Sequence, residues 1–113
     1  MLKTIQELVQ EIRGHLRCVT AKVANTEIQQ NRGIVIDVRE PVEVAERPVP
    51  QSVNIPRGVL EMKVSALYPN EEIPLYIHCA TGARATLAAE QLQRIGYRQV
   101  SVITCDLETI CLN

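Results

Sequence analysis

Apolar and polar positions alternate along this chain in two rhythms, and the switches between them outline its fold. Ile34-Val35-Ile36-Asp37-Val38 is an almost continuous apolar run, the pattern of a strand covered on both faces of a parallel sheet. Leu75-Tyr76-Ile77-His78 is a second short run of strand formers, and a strand, a helix and a strand follow through residues 75–104. Leu16 to Val19 predicts a first short strand, and Ser52 to Ile55 a brief one halted by Pro56. Helical spacing fills the intervals. Ile5, Leu8, Val9 and Ile12 recur across residues 4–14, with Thr4 and Glu7 as a capping box and Gly14 past the end. This helix reads as packed on the edge of the domain, with partner binding as the alternative. Thr20 caps a helix carrying Val23, Ala24 and Ile28 to about Asn31. Pro41 suits the first turn of a short helix through about Glu46, and Leu60, Val64 and Leu67 mark another. A helix from about Arg84 to Ile95 places Ala85, Ala88, Leu92 and Ile95 on one face, and Gly96 stops it. Such β and α alternation predicts an α/β fold, a mostly parallel sheet with helices on both faces. The binding crevice of such a sheet lies beyond the carboxyl ends of its strands.

The 113 residues fit one domain with one core; without Trp or Phe, that core must be filled by Val, Ile, Leu and Ala. A net charge of −1 gives no electrostatic reason to expect nucleic acid or an anionic membrane as partner. No apolar run approaches the roughly 20 residues that span a bilayer. Met1-Leu2-Lys3-Thr4 lacks the apolar stretch of a secretory signal, so the expected location is the cytoplasm. Cys18, Cys79, Cys105 and Cys111 form no C-x-x-C pair, and His15 and His78 make no ligand spacing with them. Neither a metal nor another cofactor is expected.

Cys79 closes the run Leu75 to His78 and opens the loop Cys79-Ala80-Thr81-Gly82-Ala83-Arg84, which feeds a helix N-terminus. Amides of such a loop can converge on the sulfur, and the positive end of the helix dipole favours thiolate over thiol. Arg84 adds a fixed positive charge on the same loop. A lone cysteine is otherwise a small buried hydrophobe, and it is the loop, the glycine, the arginine and the helix together that make Cys79 a candidate nucleophile.

Four motifs, taken in order, resemble the rhodanese (sulfurtransferase) domain family: Ile36-Asp37-Val38-Arg39-Glu40-Pro41, Val53-Asn54-Ile55-Pro56, the loop from Cys79 to Arg84, and Leu92 through Gly96-Tyr97. The resemblance covers roughly residues 17–110. It divides the chain into an N-terminal helical extension, residues 1–16, and a single rhodanese-like domain, residues 17–113, with a sheet of about five strands. It implies a sulfurtransferase in which Cys79 attacks the outer sulfur of thiosulfate, holds it as a persulfide and passes it to a thiol, including a protein thiol, or to cyanide. Ala80, Thr81, Gly82, Ala83 and Arg84 then supply the amide cradle, with Arg84 also attracting the sulfonate. The implied partners are a small anionic sulfur donor and a thiol acceptor, and the chain is expected to act as a monomer. Three departures from the family pattern stand out. Arg47-Pro48 replaces a common Gly-His pair, Ala80 stands where a basic residue is frequent, and Cys105-Asp106 replaces a Gly-Gly turn near the active loop.

The remaining polar residues carry two readings each. Asp37 and Arg39 at a strand end read as loop anchors, with anion binding by Arg39 as the alternative. His78 reads as sheet packing rather than as a base, because alternation points it away from Cys79. Cys105 is either an inert packed thiol or a resolving thiol for Cys79. Two other functions compete. A phosphatase of related fold uses a longer Cys-to-Arg loop than the four residues separating Cys79 from Arg84 here, and no Asp stands out as a general acid. A sulfur carrier without turnover, docking on one partner, is the second.

Overall fold

Strand and helix alternate along nearly the whole chain in the computed structural model, which describes residues 1–112; Asn113, the last residue of the expected domain, lies outside the described residues. In chain order the elements are α1 (Ile5–Arg13), β1 (Arg17–Val19), α2 (Ala21–Asn31), β2 (Ile34–Asp37), α3 (Pro41–Glu46), β3 (Val53–Asn54), α4 (Leu60–Leu67), β4 (Leu75–His78), α5 (Ala83–Ile95), β5 (Val100–Ile103) and α6 (Leu107–Leu112), with a 3-10 turn at Arg57–Val59 leading into α4. The strands form one five-stranded sheet in the order β1-β5-β4-β2-β3. All four pairings are parallel, as the β–α alternation predicts.

Register decides which side chains share a face. Ile36, Ile77 and Val102 are aligned across β2, β4 and β5, and all three are fully buried. They join Leu60 and Val64 of α4 and Ala85, Ala88, Ala89 and Leu92 of α5 in the larger core. The alternate row, through Val35 and Tyr76, faces the other way and packs with Val19 of β1, Ala21 and Ala24 of α2 and Ile110 of α6. Helices therefore cover both faces. The three alanines on α5 let that helix approach the sheet closely, which a core without Phe or Trp requires.

Four apolar residues assigned to helices are turned outward instead: Ile5 is 60% exposed, Leu67 57%, Ile95 48% and Val23 42%. Ile5, Leu67 and Ile95 stand at the ends of their helices, where the buried stripe has already run off the partner surface. α6 lies beyond the last strand, where the sequence gives only Asp106 as a starting signal; its Oδ1 accepts from Thr109 N–H at 2.9 Å.

α1 packs against α5. Thr4 and Glu7 form both halves of the expected capping box, and Val9 and Ile12 are the buried side chains. Burying each contributes roughly 1.5–3 kcal/mol, enough to hold a helix too short to persist alone. No helix among the described residues is long and apolar enough to cross a membrane.

Candidate active site

Parallel strands deliver their C-terminal residues to one edge of the sheet, and that edge carries the chemistry. β4 is buried along its whole length and ends at His78, so Cys79 emerges at the rim. Gly82 then takes a left-handed conformation, φ +102°, and caps α5. A side chain at this position would be strained, so glycine is what allows the turn. The turn aims two amides at one atom: Gly82 N–H lies 3.1 Å from Cys79 Sγ and Ala85 N–H lies 3.3 Å from it. Ala85 is the third residue of α5, and its amide is one of the donors that a helix leaves unpaired in its first turn. The sulfur occupies the place of a capping oxygen. At 1% exposed, it is shielded from solvent.

The expected cradle ran from Ala80 to Arg84; the structure puts Gly82 of that set on the sulfur and adds Ala85 from outside it. Ala80 instead ties the loop to the segment after β5, where its carbonyl accepts from Leu107 N–H at 3.0 Å. Gly82 O accepts from Thr86 N–H at 3.0 Å and from Thr86 Oγ1 at 2.8 Å. Thr86 Oγ1 in turn accepts from Arg13 Nε at 3.1 Å. A Cβ built on Gly82 would stand 2.6 Å from Arg13 Nη2, so the guanidinium of α1 lies directly against the loop. Nothing in the sequence pointed to Arg13, because the contact joins the first helix to a loop some seventy residues away. Thr81 is exposed at the loop tip.

Arg84 forms a two-pronged ion pair with Glu43 of α3, with Nη1–Oε1 at 2.7 Å and Nη2–Oε2 at 3.0 Å. Hydrogen bonds from Arg84, and next a backbone bond at Glu40, hold the Glu43 carboxyl down to about 2. Glu43 went unrecognised in the sequence, being one acidic residue among several on a short helix.

Asp37 and Arg39 are both 1% exposed and bonded to each other, Nε–Oδ1 at 3.0 Å and Nη2–Oδ2 at 2.7 Å. The pair is a buried anchor. Arg39 Nη2 also donates to Arg47 O at 2.9 Å and Nη1 to Glu43 O at 3.4 Å, so the guanidinium fastens the middle and the C-terminal end of α3. Asn54 Nδ2 donates to Asp37 O and Arg39 O, at 3.0 and 2.9 Å, securing the same turn from β3. Asp37 and Arg39 thus reach the loop at Cys79 through Glu43 and Arg84.

His78 is fully buried, with Nε2 2.6 Å from Ser52 Oγ. Burial, first of all, pushes its imidazole below the ordinary 6.5, with the Asp37 charge opposing. A neutral ring bonded to Ser52 packs the sheet end. Cys105 Sγ accepts from Ala21 N–H at 3.3 Å and packs against the second core cluster, whereas Cys79 belongs to the first. The loop after β5 touches the Cys79 loop, but this sulfur is turned to the opposite face of the sheet. Among the described residues no group of three His, Cys, Asp or Glu side chains could hold a metal ion.

The model of the rhodanese-like domain family matches residues 20–111, a stretch that contains Cys79, its loop and all but the first strand in full. A curated relative from Allochromatium vinosum named Sulfurtransferase is 27% identical over 67 residues, covering 59% of this chain and 61% of that protein. Matches to curated relatives span from 35% to 64% of those proteins' own lengths. Among solved structures, the human single-domain sulfurtransferase TSTD1 superposes with a TM-score of 0.69 at 24% identity, over 81% of this chain and 92% of that one. A Rhodopseudomonas palustris protein of unknown function, described as a possible tyrosine phosphatase, gives a TM-score of 0.83 at 21% identity, over 97% and 90%. Identities this low establish a shared fold for both structures and nothing finer. With the family model spanning most of its length, the chain belongs to the rhodanese-like domain family.

Proposed function

We propose that this protein is a sulfurtransferase that carries a sulfane sulfur as a persulfide on Cys79. The observation that supports the reading best is the convergence of the Gly82 and Ala85 amides on one sulfur atom. Two N–H groups from a helix start stabilise negative charge on Sγ without any base to remove a proton, and they serve a persulfide anion in the same way. In the first half-reaction the Cys79 thiolate attacks the outer sulfur of thiosulfate. The sulfur–sulfur bond of the donor breaks, and sulfite leaves with its electron pair. In the second, a thiol in its thiolate form or cyanide attacks the outer persulfide sulfur, and Cys79 departs as thiolate. Atoms and electrons balance with no external oxidant.

Burial of Cys79 also favours sulfur over phosphoryl chemistry. A terminal sulfur offers a single atom to a shielded nucleophile, whereas a phosphate must fit three further oxygens around its centre. A sulfur carrier with little turnover is the second reading, and it has its own support: Arg84 is compensated by Glu43, and Ala80 adds no charge at the loop.

One experiment separates these. Intact mass after incubation with thiosulfate is expected to show one added sulfur atom in the wild type and none in Cys79→Ala. Thiocyanate formation on adding cyanide then reports turnover. A persulfide without turnover selects the carrier; no added sulfur from thiosulfate refutes the donor assignment. Mild oxidation of the same protein tests the resolving role for Cys105, which requires a linked Cys79–Cys105 peptide.

A further inference from the structure

Charges around the Cys79 loop are distributed unevenly. The loop itself contributes Ala80, Thr81, Gly82 and Ala83, none of them ionisable. Arg84 is ion-paired to Glu43 and feels both Cys79 and, more weakly, the Glu40 carboxylate, so two acids offset the one base there. Arg39 is buried against Asp37. Arg13 differs from both. Its Nε is held by Thr86 Oγ1, and its terminal nitrogens make no ion pair or hydrogen bond among the described residues. Arg13 is half-buried, so its position is set by packing while the guanidinium edge stays open.

That edge borders a groove of about 610 Å³ between α1 and the loop, lined by Thr4, Glu7, Gln10, Arg13, Thr81 and Ala83 among others. Glu7 is the other charged group there. It lies six residues earlier, about 9 Å back along the helix, and its carboxylate accepts from Thr4 N–H in the helix cap. The end of the groove next to Gly82 is therefore positive. Gly82 links the two parts, with its N–H on the Cys79 sulfur and its open Cα face against Arg13 Nη2.

From this arrangement we infer that Arg13, supplied by the helix outside the matched family region, is the cation that recognises the anionic end of the sulfur donor. The inference rests on the sulfurtransferase reading for the identity of the donor, a small anion such as thiosulfate with a terminal sulfane sulfur. The sulfonate lies toward Arg13 in the groove while the outer sulfur turns in toward Cys79. Arg84 also lies within electrostatic reach of Cys79, but its guanidinium is taken up by both Glu43 oxygens.

The test compares Arg13→Gln, Arg13→Lys and Arg84→Gln with the wild type. Alkylation at the Cys79 peptide is timed with iodoacetate, an anion, and iodoacetamide, its neutral counterpart. Arg13→Gln is expected to lower the iodoacetate-to-iodoacetamide rate ratio about fivefold at low salt, the effect of one unit charge a few ångströms from the path. The loss fades at high ionic strength. Arg13→Lys keeps the ratio within about twofold although it gives up the Thr86 bond, and Arg84→Gln moves it less than Arg13→Gln does. In turnover, Arg13→Gln raises KM for thiosulfate by a similar factor. An unchanged ratio in Arg13→Gln overturns the inference. So does equal loss in the Lys and Gln variants, which would make the Thr86 bond the only contribution, and so does a Cys79 that neither reagent reaches. A wild type that alkylates with the expected bias yet takes no sulfur from thiosulfate would instead sink the donor assignment and leave the role of Arg13 standing.

Discussion

Gly82→Ala is the substitution that best exposes how the loop is held. At φ +102° a residue with a Cβ is strained by about 1–2 kcal/mol. The new methyl would also stand 2.6 Å from Arg13 Nη2, far inside contact distance. Arg13 is the flexible partner, so its guanidinium swings away rather than the backbone moving. That movement forfeits the 3.1 Å bond from Nε to Thr86, worth about 1 kcal/mol. The summed loss is about 2–3 kcal/mol, read as a fall of roughly 1–2 M in the urea midpoint. In an Arg13→Ala background the Thr86 bond is already gone, so Gly82→Ala should cost about 1 kcal/mol less, and the double-mutant cycle measures the difference. If Gly82→Ala leaves the midpoint within about 0.5 kcal/mol of wild type, the strain argument fails. Strict additivity of the two changes would refute the contact between α1 and the loop.

Two further outcomes follow from the buried polar groups behind the site. Arg39→Met leaves Asp37 buried without its partner and is expected to destabilise the protein by about 3–5 kcal/mol, while Asp37→Leu combined with Arg39→Met recovers much of that loss; equal damage in single and double variants, by urea denaturation, would contradict it. His78 has a folded value lowered by burial, so the unfolded chain takes up the proton first as pH falls. Its contribution is complete above the ordinary 6.5 and is lost as pH drops below that toward the folded value. Urea midpoints at pH 7.5 and 5.5 should differ more in the wild type than in His78→Gln, and an identical difference would remove His78 as the cause.

Local pattern alone was enough to determine the alternation of strands and helices, the parallel sheet and the position of Cys79 at the carboxyl end of a strand. A run such as Ile34 to Val38 and a capping box such as Thr4 with Glu7 act through neighbours a few residues away, so periodicity and cap chemistry report them directly. Four motifs in order, the loop from Cys79 to Arg84 among them, likewise carried the family resemblance. Tertiary structure decided everything that joins distant segments. It turned Arg84 onto Glu43, sent Arg39 into a buried pair that fastens α3, and put the Cys105 sulfur on the first amide of α2. It also carried Arg13 from the first helix to Gly82 and gave Ala85, in place of most of the expected cradle, to the sulfur. The physical reason is the same in each case: a charge finds its partner through packing of whole elements, and that packing is set by the summed burial of many apolar side chains rather than by any motif near the charge itself.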